Sequence, residues 1–227
     1  MTLKRNAMAR NAACVLVVLA LAGLAGIRAQ SAAKKPGAQD LFQKMLKQSL
    51  SIKDYHVKFD NTTYNEKTKK DDATVCEFWW MAPDFRKLIV AQGQHKGSVV
   101  VFNPDKSKDK VFGKQGGVEI PGGMPKSAKM VEPFFKVGWK DDLLDLKKFT
   151  RGGKFTLDGE EKIKGRDAWK ITITGAKDEF DKIVIGVDKE KNVLLKHEYY
   201  KKGKLMKGTV FYDVQVNTGL KPADFKP

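Results

Sequence analysis

Large apolar residues recur at two different spacings along this chain. Near the start they lie three and four positions apart, which places them on one face of a helix of about three turns. The residues of this stripe are Leu41, Phe42, Met45, Leu46 and Leu50. We therefore predict one amphipathic helix that either packs against a core or covers a cavity.

From Asp54 onwards the apolar residues fall at every second position. Such alternation is typical of antiparallel strands with one buried face and one wet face. The positions predicted to face inwards are Val57, Phe59, Phe78, Trp80, Leu88, Val90, Trp169, Ile171, Ile173, Ile183, Ile185, Leu195, Tyr199 and Tyr212. These side chains either fill the core of an ordinary sandwich or line an apolar cavity that binds a ligand, and the pattern leaves both interpretations open.

The segment 118–150 interrupts the alternation. It begins with Ile-Pro-Gly-Gly-Met-Pro at 120–125, which disfavours any regular element, and continues with patterns for short helices. An interruption of this kind in a β chain often covers one face of a sheet. We predict a mainly β domain with an N-terminal helix and a short-helix insertion over its apolar face.

The first 29 residues have the pattern of a secretory signal peptide. Lys4, Arg5 and Arg10 precede the apolar run 12–26, and Ala29 offers a small residue for cleavage. We predict a signal peptide at 1–29, a flexible N-terminus at 30–37 and one domain at 38–227, exported to the periplasm. An uncleaved N-terminal anchor is the alternative.

The chain is strongly basic, with a formal net charge of +16. Residues 1–29 hold four basic and no acidic residues, so their removal leaves +12. The remaining lysines are spread through the predicted turns, which is typical of a solvated surface. Transient contact with an anionic membrane surface is the functional alternative. Nucleic acid is not expected as a partner of an exported chain.

No catalytic or metal-binding pattern stands out. His56, His95 and His197 lie far apart without ligand spacing, and Cys76 is the only cysteine left after cleavage, so no internal disulfide can form. No nucleophile elbow or phosphate-binding loop is present. We therefore predict a protein that is not an enzyme and that uses neither a cofactor nor a metal.

Five short motifs occur in the order in which one known family has them. They are SIKDYHV at 51–57, WMAPDFR at 80–86, EKIKGRDAWKI at 161–171, VDKEKNVLLK at 187–196, and FYDVQVNTGL at 211–220 followed by Phe225. In these motifs the chain resembles the outer-membrane lipoprotein-sorting proteins of the LolA/LolB/RseB-like superfamily. The likeness covers nearly all of residues 38–227.

The resemblance implies a single antiparallel half-barrel, an open curved sheet whose concave apolar face is covered by helices. It also implies a periplasmic carrier or binding protein for lipoprotein acyl chains or other lipids, with an inner-membrane transporter or an outer-membrane acceptor as partner. The alternatives are an envelope-stress sensor that binds a membrane partner, and an envelope lipid-modifying enzyme. The sensor role usually needs a further C-terminal domain, so the end of the chain at Pro227 favours a carrier.

The chain departs from the family pattern at one place. The lipoprotein carrier has an arginine immediately before the proline of the second motif, where it helps to close the lid, whereas Ala82 stands before Pro83 here. This departure bears on the carrier cycle and leaves the binding scaffold unaffected.

Overall fold

The alternating pattern forms one antiparallel sheet in the structure, a computed structural model that describes residues 36–115, 118–129, 131–176 and 179–227. The predicted signal peptide and most of the predicted flexible N-terminus lie outside the described residues. The strands are β1 (Asp54–Asn65), β2 (Lys70–Met81), β3 (Phe85–Gln92), β4 (Val99–Phe102), β5 (Lys110–Gln115), β6 (Val118–Glu119), β7 (Met124–Pro125), β8 (Lys154–Ile163), β9 (Arg166–Thr174), β10 (Lys182–Asp188), β11 (Leu194–Lys201) and β12 (Lys204–Val216). The helices are α1 (Ala38–Leu50), α2 (Glu132–Phe135), α3 (Trp139–Phe149) and a 3₁₀ turn at Pro222–Asp224.

The first and last strands of the sheet meet in its centre. The order is β6-β5-β4-β3-β2-β1-β12-β11-β10-β9-β8, with β7 paired to β5 alone. Pairing of β1 with β12 therefore joins an N-terminal meander, β1 to β6, to a C-terminal meander, β8 to β12. The sheet stays open at both ends, so the predicted mainly β, antiparallel half-barrel with covering helices is confirmed.

Helices α1 and α3 cover the C-terminal half of what we call the inner face, the face of the sheet that carries the main core. Phe42 and Met45 of α1 and Leu143 of α3 are buried against it. Trp139 at the start of α3 is fully buried, and its Nε1 donates a hydrogen bond to the Leu194 carbonyl at 3.0 Å. None of the helices in the described ranges is long and apolar enough to cross a bilayer.

A buried carboxylate also holds α3 on the sheet. Asp142 Oδ2 lies 3.3 Å from Nε2 of His197 on β11, and its Oδ1 lies 3.4 Å from Nζ of Lys207 on β12. The His197 contact is too poorly aligned to be a regular hydrogen bond. Burial alone would raise the pKa of Asp142, but His197 and then Lys207 outweigh that effect, so its pKa is lower than usual.

The C-terminal segment crosses the outer face of the N-terminal meander. The Asp54 carboxylate accepts hydrogen bonds from Thr218 N at 2.7 Å and from Thr218 Oγ1 at 3.0 Å, which fixes the point where the chain leaves β12. Phe225 then packs in a small second core, with its ring 5.4 Å from that of Phe85. We call residues 217–227 the strap.

Removing the aromatic anchor of the strap tests how much this second core contributes. Because Phe225 is 2% exposed, Phe225→Ala should lower the free energy of unfolding by about 3–4 kcal/mol through lost burial and a cavity. Lys226→Ala, an exposed neighbour, should change it by less than about 0.5 kcal/mol. Urea unfolding followed by tryptophan fluorescence gives both values. Equal, small effects would mean that the strap is not part of the cooperative fold.

The buried Asp142 predicts a specific dependence of stability on pH. Asp142→Asn should lower the free energy of unfolding at pH 7 by about 1–3 kcal/mol, because His197 loses its partner. A carboxylate whose folded-state pKa is lowered stabilises fully above its unfolded pKa of about 3.9 and progressively less as pH falls towards the folded-state pKa. The difference between wild type and variant should therefore shrink below about pH 4. Urea unfolding at pH 7, 5 and 3 measures it, and a constant difference would contradict the assignment.

Candidate functional site

Thirteen of the fourteen residues predicted to face inwards belong to the main core cluster or pack against it. The exception is Tyr212, which lies on the outer face, where its hydroxyl donates to Asp60 Oδ1 at 3.0 Å. The register between β1 and β12 shifts at this point, and Asp213 has a positive φ of 51°. Such a bulge inserts one residue and reverses the alternation. Phe211, 1% exposed, takes the inward position instead.

The inward residues do not all border open space. Ile171, Ile173, Ile183, Ile185, Leu195 and Tyr199 are packed beneath the helices as core, and Val57, Phe78 and Trp80 are buried as well. Trp169 is half-buried, with Lys189 Nζ 4.5 Å from its ring centre. Of the fourteen, Phe59, Leu88 and Val90 line the two hollows described below. A role of the whole set in ligand binding stays a prediction.

The larger hollow lies over the N-terminal meander and has a volume of about 400 Å³. Its floor is the inner face of the sheet at Leu88, Val90 and Val100. Its roof comes from the segment 118–129 and 131–138, which we call the cover. The roof residues are Ile120, Met124, Pro133, Phe134 and Val137. The rim carries His95, Ser98, Lys114 and Gln115. We call this hollow the apolar pocket.

A smaller hollow of about 120 Å³ adjoins it, since both are lined by Leu88 and Val137. We call it the polar chamber because most of its other wall residues carry polar groups. They are Asn61, Thr74, Cys76, Lys136, Asp142, Lys207 and Thr209, beside Phe59 and Gly138. The chain approaches the sheet closely at Gly138, where φ is +136° and a Cβ would lie 2.8 Å from the Phe78 ring. Only glycine fits both constraints.

One buried arginine attaches the cover to the sheet. Arg86 on β3 is paired through Nε with Asp84 at 2.7 Å, and its Nη1 donates to the Phe135 carbonyl and to Asp141 Oδ2, each at 2.9 Å. The Arg86 side chain is 12% exposed. Burial, together with the nearby carboxylates of Asp142 and Asp84, raises the pKa of Asp141 despite the opposing effect of Arg86. Arg86 therefore links the sheet to the cover through a backbone hydrogen bond and to α3 through a charged contact.

The sequence contained these residues but did not reveal their roles. Arg86 belongs to the motif at 80–86, but nothing in its position within that motif predicts a contact with the cover. The roof residues Ile120, Met124 and Phe134 lie in a segment rich in proline and glycine, where no periodicity assigns a face. Apolar residues inside such a break are the one signal that could have found them.

Comparisons with known proteins bear on the fold. A family model described as "Uncharacterized protein" matches residues 139–222. No curated protein matches the sequence. Among solved structures, MucB superposes with a TM-score of 0.56 at 15% identity, covering 84% of this chain and 62% of MucB. The MucA/MucB complex of Pseudomonas aeruginosa gives 0.52 at 14% identity, covering 84% and 60%. This chain thus spans about three-fifths of the MucB chains it resembles.

Two further structures are similar over almost their full length. The lipoprotein LppX of Mycobacterium tuberculosis has a TM-score of 0.51 at 14% identity, covering 82% of this chain and 99% of LppX. A LolA superfamily protein of Nitrosomonas europaea gives 0.38 at 13% identity, covering 85% and 98%, an agreement too low to support an argument. Together with the sheet order and the covering helices, the likeness to MucB and LppX shows that this chain shares their fold, in agreement with the fold that the sequence resemblance implies.

Proposed function

We propose that this protein is a periplasmic carrier or binding protein for acyl chains of lipoproteins or of other lipids. The observation that carries the proposal is the apolar pocket between an open sheet and a cover whose regular elements are short. The predicted signal peptide at 1–29 supports export, and the domain at 38–227 would be the binding unit. Catalysis is not part of the proposal.

The dimensions of the apolar pocket suit part of an acyl chain. Small-molecule sites occupy about 300–1,000 Å³ and are lined mainly by apolar side chains, and the pocket lies at the lower end of that range. Each methylene transferred from water into it contributes about 0.8 kcal/mol. Burial of six to eight methylenes would thus supply about 5–6 kcal/mol. A longer chain would need the cover to move outwards.

The cover is built in a way that allows such movement. Its strands β6 and β7 have two residues each, and α2 has four. Segments with few regular hydrogen bonds open at lower free energy than core strands. The helices over the C-terminal meander, in contrast, bury large side chains such as Trp139 and Phe42. Ligand entry at the N-terminal meander would leave the main core intact.

A regulatory role is the second candidate. MucB, whose fold this chain shares, has been solved in complex with MucA. By analogy, this chain would bind a second protein, and the sequence resemblance implies that this partner is a membrane protein and that binding reports damage to the envelope. The apolar pocket supports the carrier role more directly, because a lipid can bind inside the pocket without a further surface for a protein partner. Loss of lipid binding together with retained binding of a membrane protein would favour regulation.

A charge placed in the pocket should abolish lipid binding. Val90 and Ile89 are consecutive half-buried residues of β3, and only Val90 faces the pocket. Val90→Glu should weaken binding of a fluorescent fatty-acid probe by about 100-fold, because an unpaired charge in an apolar site costs several kcal/mol. Ile89→Glu puts the same charge on the outer face and should change affinity less than about twofold. Circular dichroism checks both folds. Equal affinities for folded variants would exclude this pocket as the site.

The basic surface predicts how lipid is collected. Each lysine near an anionic bilayer contributes about 1 kcal/mol, and the field fades over a Debye length of about 10 Å at 0.1 M salt. Transfer of a labelled neutral lipid from anionic vesicles should therefore slow steeply as salt rises from about 0.02 to 0.5 M. Affinity for the bound lipid should hardly change. If transfer is indifferent to salt and vesicle charge, the lysines are only a solvated surface.

A further inference from the structure

The inner face of the central strands changes from apolar to polar along their length. Three neighbouring positions across β12, β1 and β2 show this in register. Phe211, Phe59 and Cys76 form one row, and Thr209, Asn61 and Thr74 form the next. Lys207 follows on the same face of β12, two residues beyond Thr209. The row of polar residues lies partly beneath the cover, where an ordinary core would be apolar.

The polar chamber lies at this boundary. The residues that line it include two lysines, Lys136 and Lys207, and one acidic residue, Asp142. Lys136 Nζ lies 2.5 Å from Glu132 Oε1 in an exposed ion pair. Lys207 Nζ lies 3.4 Å from Asp142 Oδ1, which is a long contact. Each lysine has three N–H donors, so these contacts leave donors for another acceptor. The groups that line the chamber thus carry a net positive charge.

Neutral polar groups complete the wall of the chamber. The Thr209 hydroxyl donates a hydrogen bond to Asn61 Oδ1 at 3.2 Å, and Thr74 adds a second hydroxyl. Burial raises the pKa of the Cys76 thiol to about 11, so this group carries no negative charge at neutral pH. The volume of about 120 Å³ equals that of about four water molecules, at about 30 Å³ each. That is room for one small acidic group.

We propose that the polar chamber binds the anionic head group of an amphiphile, a carboxylate or a phosphate monoester, while its chain occupies the apolar pocket. Leu88 and Val137 line both hollows, so the head and the first methylenes would lie on either side of them. The inference rests on the proposed function and narrows its ligands from acyl chains in general to amphiphiles with a free anionic head group. It excludes neutral lipids as preferred ligands, because a hydroxyl head group lacks the Coulomb attraction between an anion and the lysine ammonium groups.

Three ligands separate the contribution of the head group to affinity from the contribution of the chain. Dodecanoate, 1-dodecanol and acetate compete with a neutral naphthylamine probe at pH 8, where the acids are ionised, and inorganic phosphate serves as a second chainless anion. Dodecanoate should bind about tenfold more tightly than 1-dodecanol. Acetate and phosphate should not displace the probe and should leave the thermal midpoint unchanged. Dodecyl phosphate should behave like dodecanoate.

Variants then locate the preference. Lys207→Met should reduce the ratio of the two dissociation constants from about ten to below about two, and Lys207→Arg should retain most of it. Lys136→Gln, at the more exposed lysine, should reduce the ratio about twofold. Lys58→Met is the matched control, because Lys58 is 41% exposed beside 39% for Lys207 and is also paired with an aspartate, on the outer face. It should leave the ratio unchanged.

The outcomes separate the two proposals. If no amphiphile displaces the probe, the proposed function fails. If 1-dodecanol binds as tightly as dodecanoate, the carrier proposal stands and the head-group site is wrong. If acetate or phosphate binds as tightly as dodecanoate, the chamber is a plain anion site and the amphiphile inference is overturned. A preference that survives in folded Lys207→Met and Lys136→Gln proteins would place the head group elsewhere and would also overturn it.

Discussion

The pairing of β1 with β12 is the interaction on which the rest of the structure depends. It brings together residues about 150 positions apart, such as Phe59 and Phe211, and turns two separate meanders into one sheet. The loss of chain entropy on closing so long a loop must be offset by many contacts at once. The Asp54 carboxylate adds to them by binding the chain just after β12, at Thr218. Without this pairing, the C-terminal meander would expose one edge of β12 and the N-terminal meander one edge of β1.

The two meanders use the same inner face for different purposes. Helices α1 and α3 seal the C-terminal half with fully buried side chains, among them Trp139 and Leu143. The cover closes the N-terminal half with short elements and a hydrogen bond from Arg86 to the Phe135 carbonyl, and there the apolar pocket and the polar chamber lie. A protein that must bind and release an apolar ligand needs both properties, a core that holds the fold and a neighbouring region that opens at lower free energy.

The sequence predicted the elements better than the site. Alternation identified the inward residues wherever a strand was regular, because side chains of a strand point to opposite faces in turn. It failed at Tyr212, where the bulge beside Asp213 reverses the order, and no local pattern announced that bulge. Alternation also could not distinguish positions in the core from positions that line the pocket. Leu88 and Ile185 have the same pattern, and only the position of helices and cover decides which of them borders open space.

The strap has a consequence for how the pocket can change shape. Strands β3 and β4 form the pocket floor with Leu88 and Val100 on one face, and hold Phe225 with Phe85 and Val101 on the other. One face of these two strands thus borders a hollow, and the other face packs against an aromatic side chain. This packing resists bending of the two strands, so the pocket floor would not move to accept a ligand larger than the pocket. The deformation would be borne by the roof, and the size of the accepted ligand would be set by the cover alone.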